Sequence, residues 1–329
     1  MPRSKALLLL SLATLFAPAF GQSANPARPG TLNYVEGQAS IEGHALSPRS
    51  VGHEELQPGQ YLSTANGKAE ILLTPGVFLR LGNDSTVKMI SPNLTHTEIE
   101  ISQGRASVEA DQLYPQNNIL INAKGAQTQL LKAGLYEFDT NNNTVRVFDG
   151  KAAVFASVTP QPNEKATVVK GGHQLTLTGE AVKPVSFDKK RAQDDLYNWS
   201  SLRSEYLGEA NIELASQYSG GSFTPGWFWD SGFYGYTWLP GDGLFWNPFG
   251  YGFYSPYYIY GGGYIYGRGG YGGYRGGYGY HGGPSRGGYG SAHAGAVASS
   301  SGGFHGGGGG FSGGGGGFHG GGGGGGGHR

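Results

Sequence analysis

The chain has no cysteine and only two methionines in its 329 residues. Without thiols there is no disulfide, no thiolate metal site and no cysteine nucleophile, so packing and hydrogen bonding must supply the stability. Charge is scarce too. Lys, Arg, Asp and Glu make up 14% of the chain, against about 25% in ordinary globular proteins. The 23 basic and 23 acidic side chains cancel, leaving no net field to draw a polyanion. Beyond the N-terminus no run is apolar enough to span a bilayer. Neither an H-E-x-x-H pair nor a phosphate-binding G-x-x-x-x-G-K-[ST] loop occurs.

What stands at the start is MPRSKALLLLSLATLFAPAFGQ, the layout of a secretory signal peptide. Arg3 and Lys5 form a basic region, and an apolar run follows at 6–16. Ala19 and Gly21 place small residues at −3 and −1 for cleavage between Gly21 and Gln22. Residues 1–21 are expected to be removed on export to the periplasm, outer membrane or medium. The mature chain is expected to carry no transmembrane span.

Of the 63 glycines, only 17 precede Ser219, and the two parts call for different physics. Residues 30–183 alternate as strands do. VFLRL puts Val77, Leu79 and Leu81 on one face and Arg80 on the other. EIEIS, TVRVF and QLTLT repeat the pattern. Glycine- or asparagine-bearing turns separate these runs, which predicts an all-β unit, either a sandwich or a solenoid. Residues 187–217 predict an amphipathic helix packed on that unit. Its expected stripe is Leu196, Trp199, Leu202, Tyr206, Ala210 and Leu214, with Ser186 or Asp188 as cap and Gly220 beyond its end.

The β segment resembles the FecR domain family. The matching stretches are GTLNYVEG (30–37), LQPGQYLSTANGKAEILLTPGVFLRLGNDSTVKM (56–89), IEISQGRASVEA (99–110), AGLYEFDTNNNTVRVFDGKAAVF (133–155) and VVKGGHQLTL (168–177). The best-understood members look like signal transducers. A cytoplasmic segment acts on an alternative sigma factor, and a periplasmic part receives a signal from an outer-membrane transporter. This chain is similar instead to exported members in which a signal peptide precedes the domain, a tryptophan-bearing helix and an aromatic-glycine tail. The resemblance implies no catalytic residues and no cofactor.

The residues themselves point the same way. His44, His53, His96 and His173 are scattered among polar turns and read as surface histidines. Asp194 and Asp195 lie in the charged first half of the expected helix, where carboxylates favour the positive dipole end, and do not read as a catalytic pair. DTNNNT at 139–144 begins like a calcium loop, yet Thr144 and Gly150 stand where glycine and glutamate are needed, so a hairpin turn is the better reading. Residues 219–264, with Trp227, Trp229, Trp238 and Trp246, allow three states: an aromatic subdomain, a sugar-binding strip, or a segment without a core. Residues 265–329 repeat glycine with Tyr, Arg and His, which predicts a disordered tail with no preorganised metal site at His281, His293, His305, His319 or His328. YRGGYGYHGG at 274–283 has too few cations for a nucleic-acid role. It suits self-association through aromatic and Arg–Tyr contacts.

The expected function is therefore a non-catalytic envelope binding or scaffold protein. It would engage a protein or polysaccharide through exposed strand edges and turn surfaces. The alternatives are a signal-receiving module of a FecR-type sigma-factor pathway and a secreted protein that binds or processes polysaccharide.

Overall fold

Period-two alternation becomes fifteen strands between residues 32 and 186, hydrogen-bonded into one sheet that does not close into a barrel. The structure is a computed structural model that describes residues 26–177 and 183–260. The expected cleavage site at Gly21 and Gln22 and the stretch 265–329 lie outside the described residues.

Strand β1 (Leu32–Ile41) runs antiparallel to β3 (Tyr61–Leu72), with the short β2 (His44–Ala45) between them in sequence. The chain then alternates between the two ends of β3. Strand β4 (Val77–Leu81) pairs with its C-terminal end and β5 (Thr86–Asn93) with its N-terminal end. β6 (His96–Gln103) continues the β5 side, whereas β7 (Arg105–Ala110) returns to β4. β8 (Ile119–Ala123) lies parallel to β6, and β9 (Ala126–Lys132) follows it. β10 (Gly134–Asp139) and β11 (Thr144–Val147) extend the β7 side. β12 (Lys151–Phe155) and β13 (Thr167–Lys170) extend the β9 side. β14 (His173–Thr176) and β15 (Val185–Ser186) complete the β11 side.

Two half-sheets result, joined through the β1–β3 ribbon. One core takes side chains from both: Leu79, Val108, Tyr136 and Val147 from one half, Ile99, Ile121 and Val154 from the other. Apart from β6 with β8, the pairs described above are antiparallel. The architecture is thus a sandwich made by one sheet, not a solenoid.

Turn glycines sit where the chain crosses between halves. Gly104 and Gly150 have φ of +75° and +95°, a region costly for residues with a Cβ. A Cβ at Gly104 would strike Ser85 and the carbonyl of Asp84, and one at Gly150 would strike the Tyr136 hydroxyl. That hydroxyl ties two crossings together. It accepts from the Lys151 N–H at 3.0 Å and donates to the carbonyl of Lys132. Burial raises its pKa to about 12, so it keeps its proton.

The outer face of the β4 half is covered by a third layer. Helix α1 (Asp195–Gln217) lies over it with two hairpins, β16 (Gly226–Asp230) with β17 (Gly235–Leu239), and β18 (Leu244–Trp246) with β19 (Gly252–Tyr254). The short α2 (Pro256–Tyr260) follows. Leu72 and Phe78 of the sheet pack with Leu207, Tyr236, Trp238 and Phe253 of this layer. Residues 219–260 of the aromatic stretch therefore belong to the folded layer, and 261–264 lie outside the described residues.

Two expectations about the helix are corrected. It begins at Asp195, not at 187, because Asp194 caps it by accepting the Tyr197 N–H at 3.0 Å. Asp188 closes a separate turn by accepting from Lys190 and Arg191. The buried face also differs from the apolar stripe. Leu202 and Tyr206 are 47% and 46% exposed, while Ser200, Arg203, Ser204 and Asn211 are buried. The helix turns polar groups inward because the sheet face beneath it is charged.

Candidate functional site

Register explains that charged face. Each covered strand carries at least one polar residue on the face opposite its core residues, and pairing sets these side by side. Glu70 lies opposite Arg80, and Arg80 opposite Ser107. Ser107 lies opposite Glu137, Glu137 opposite Arg146, and Arg146 opposite Gln174. The row alternates in sign, which keeps neighbouring charges attractive.

At one end of this row the charges are sealed from water. Arg80 donates from Nε to Glu70 at 2.6 Å and from Nη1 to Glu109, with all three side chains wholly buried. Arg203 of α1 donates to Glu70 at 2.9 Å, and Ser204 of α1 donates to Glu109. Two acids and two arginines therefore balance. Burial pushes the Glu70 carboxyl up, but Arg203 and Arg80 overcome it and hold the pKa at about 2. Burial likewise opposes the charge on Arg80, and Glu109 and Glu70 raise its pKa above the ordinary arginine value. Asp111, buried near Glu109, is held well above the carboxylate range by burial first and by Glu109 second.

Three asparagines fasten the aromatic layer to this network. Asn33 donates to Glu70 at 2.9 Å and binds Tyr236 as a strand partner would, accepting its N–H at 2.7 Å and donating to its carbonyl at 3.0 Å. Asn211 donates to the carbonyls of Trp238 and Tyr254 and accepts the Tyr254 N–H. Asn247 donates to Glu109 at 2.8 Å and accepts from Phe249 and Tyr251. Side-chain amides thus replace the backbone pairing that short hairpins lack.

A second charged group holds the start of the helix. Arg105 pairs with Asp194 at 2.6 Å and Asp195 at 3.2 Å, and Arg146 pairs with Glu137 at 2.7 Å. Burial and the neighbouring Asp194 push the Glu137 carboxyl up to about 7, against the pull of Arg146 and Arg105.

Where the three layers meet, a groove of about 470 Å³ opens. The β unit contributes Tyr34, α1 contributes Arg203, Tyr206, Glu209, Ala210 and Glu213, and the first hairpin contributes Asp230, Gly232 and Phe233. Arg203 lies between two rings, its guanidinium carbon 3.9 Å from the centroid of Tyr34 and 4.7 Å from that of Phe233. Tyr206 leans over Phe233 with centroids 6.2 Å apart and planes tilted by 32°. Asp230 accepts the Phe233 N–H at 2.6 Å, which sets the turn carrying that ring.

None of His44, His53, His96 and His173 enters this region. His44 and His53 are exposed, and His96 contacts Glu98 at 3.3 Å on the surface. His173 lies on β14 near the carbonyl of Gly171. Among the described residues no three His, Asp or Glu side chains converge as metal ligands would. The 139–144 run is a hairpin turn in which Asp139 accepts from the backbone of Asn141 and Asn142. Sequence reasoning missed Glu70, Arg80, Glu109 and Arg203. The signal for the first three was a charge set among apolar residues in KAEIL, VFLRL and RASVEA, which reads as a solvated strand face until something covers it. No helix among the described residues is long and apolar enough to cross a membrane.

No family model matches the sequence, and no curated protein matches it. Among solved structures, the fold is similar to two crystal structures, at 2.50 and 1.65 Å resolution, of a candidate anti-sigma factor from Parabacteroides distasonis. In each the identity is 13% and the TM-score 0.33, over 40% of this chain and 62% of that one. The chain thus spans less than two thirds of that protein.

Proposed function

We propose that this chain is a non-catalytic binding or scaffold protein of the cell envelope, and that it holds its partner in the groove between sheet, helix and aromatic hairpin. The observation that carries this reading is that all three layers contribute walls to one opening, and that Arg203 reaches from it to the buried Glu70. A site assembled this way is rigid without depending on any single loop. The concentrated charges are committed to one another: Glu70, Arg80 and Glu109 are wholly buried, and a substrate would have to dismantle the fold to reach them. The signal-like residues 1–21 support an envelope location. The FecR-like order of glycine turns supports a second reading, in which the same module receives a signal from an envelope protein.

The test compares capture of envelope material by the mature full-length chain and by its Tyr206→Ala variant. The groove reading expects the variant to lose what the wild type retains, with an unchanged circular dichroism spectrum. Equal capture by both would place the partner elsewhere. Turnover of envelope material by the wild type would overturn the non-catalytic assignment. Retention of a transporter segment would favour the signalling reading.

A further inference from the structure

We infer that the groove is a saccharide subsite, taking a short stretch of neutral glycan; this rests on the groove being the binding surface. Glu209 and Glu213 stand one helical turn apart on its rim, both exposed, and neither forms an ion pair among the described residues. Like charges at that spacing destabilise a helix, and no ion pair among the described residues compensates them. Asp230 adds a third carboxylate from the hairpin. Behind them lies Arg203, only 3% exposed. Its Nη2 is held by Glu70, while its buried Nε finds no hydrogen-bond partner among the described residues.

Ligand classes can be tried in turn. An anion would face three carboxylates, and the charge of Arg203 is already balanced by Glu70. A cation would suit the carboxylates, but the faces of Tyr34 and Phe233 that could cage it are occupied by the Arg203 guanidinium. An apolar ligand would leave the carboxylates and the arginine N–H without partners. A polyhydroxylated ring meets every demand. Its hydroxyls donate to Glu209, Glu213 and Asp230 and accept from Arg203. Its C–H face can lie on Tyr206, which is 46% exposed. The volume of about 470 Å³ falls in the range of small-ligand sites.

The experiment uses the mature full-length chain on an array of neutral oligosaccharides: cello-, chito-, manno-, xylo- and malto-series hexamers and peptide-free wall glycan strands. Hits are titrated by calorimetry, and a tetra-arginine peptide serves as the cationic comparator. The inference expects at least one glycan to bind. Tyr206→Ala should weaken it about tenfold through the lost ring contact, and the double variant Glu209→Gln, Glu213→Gln should weaken it without changing thermal stability by more than a degree or so. Binding to no glycan, affinities unchanged in both variants, or preference for the arginine peptide would overturn it. Should no glycan bind while capture of envelope material still depends on Tyr206, the groove remains the binding surface and only the saccharide assignment falls.

Discussion

Arg203 on α1 and Glu70 on β3 lie 133 positions apart in sequence and meet at 2.9 Å, with side chains no more than 4% exposed. This contact fixes the helix to the sheet and places the Arg203 guanidinium between Tyr34 and Phe233. Stability and the shape of the groove therefore share one residue.

Removing both partners of this contact should cost less than the two single removals summed. Arg203→Met leaves Glu70 with one arginine fewer in a dry site, and a cost of about 3–5 kcal/mol is expected for such an uncompensated charge. Glu70→Gln combined with Arg203→Met should cost less than the two single changes added together. Urea unfolding of the four proteins measures this. Strict additivity would show that the pair contributes nothing through its contact.

The acids of the charged row give opposite pH signatures. Glu70 has its folded pKa lowered from 4.5 to about 2, so its contribution is present above about pH 4.5 and is lost as the pH falls toward 2. Glu137 has its folded pKa raised from 4.5 to about 7. Its contribution is present below about pH 4.5 and is lost as the pH rises to 7, roughly 3 kcal/mol. Glu137→Gln should flatten the stability profile between pH 4.5 and 7 and be more stable than wild type at pH 8. A profile unchanged by that substitution would contradict the assignment.

The aromatic layer should be part of the fold and not an appendage. A chain ending at Tyr260 is expected to keep the wild-type unfolding midpoint in urea. A chain ending at Gln217 uncovers Leu72, Phe78 and Leu207, which are wholly buried against Trp238 and Phe253. It should unfold at markedly lower urea and bind a hydrophobic dye. Asn211→Ala should lie between the two, at a cost of about 1–3 kcal/mol for the Trp238, Tyr254 and N–H partners it strands.

The crossing at Gly150 makes a sharper test of the backbone. With φ at +95° and the Tyr136 hydroxyl in the way of any Cβ, Gly150→Ala should destabilise by about 1–3 kcal/mol. If Tyr136→Phe accompanies it, part of that loss should return, since the hydroxyl is the nearest atom such a Cβ meets, ahead of the Ala133 carbonyl and the ring carbon that remain. Equal costs in both backgrounds would mean that the hydroxyl is not the obstacle.

Much of the β unit was legible because its information is local. In VFLRL and TVRVF the alternation of Val and Leu with Arg names both the strand and the inward face, and the turn glycines mark where the chain changes half-sheet. The third layer was legible only in part. Leu202 and Tyr206 look like a buried stripe because helical spacing cannot reveal that the opposing surface carries Glu70, Arg80 and Glu109. The hairpins around Trp227 and Trp238 hold few aliphatic residues, so composition alone left their state open. What folds them is Asn33, Asn211 and Asn247, which are distant or unremarkable in sequence and meaningful only once the chain brings them beside a backbone that needs partners. The groove was not legible at all. Tyr34, Tyr206 and Phe233 come from three segments whose adjacency is a product of the tertiary fold.

The groove is the binding surface only if the partner sits in it. Hydrogen exchange of the mature full-length chain, measured with and without solubilised envelope material, locates it. Protection is predicted around Tyr34, along 203–213 and at 230–233, and is predicted to disappear in the Tyr206→Ala variant. Protection confined to the sheet edges at β13 and β15, with no change at those three segments, would contradict the groove as the binding surface.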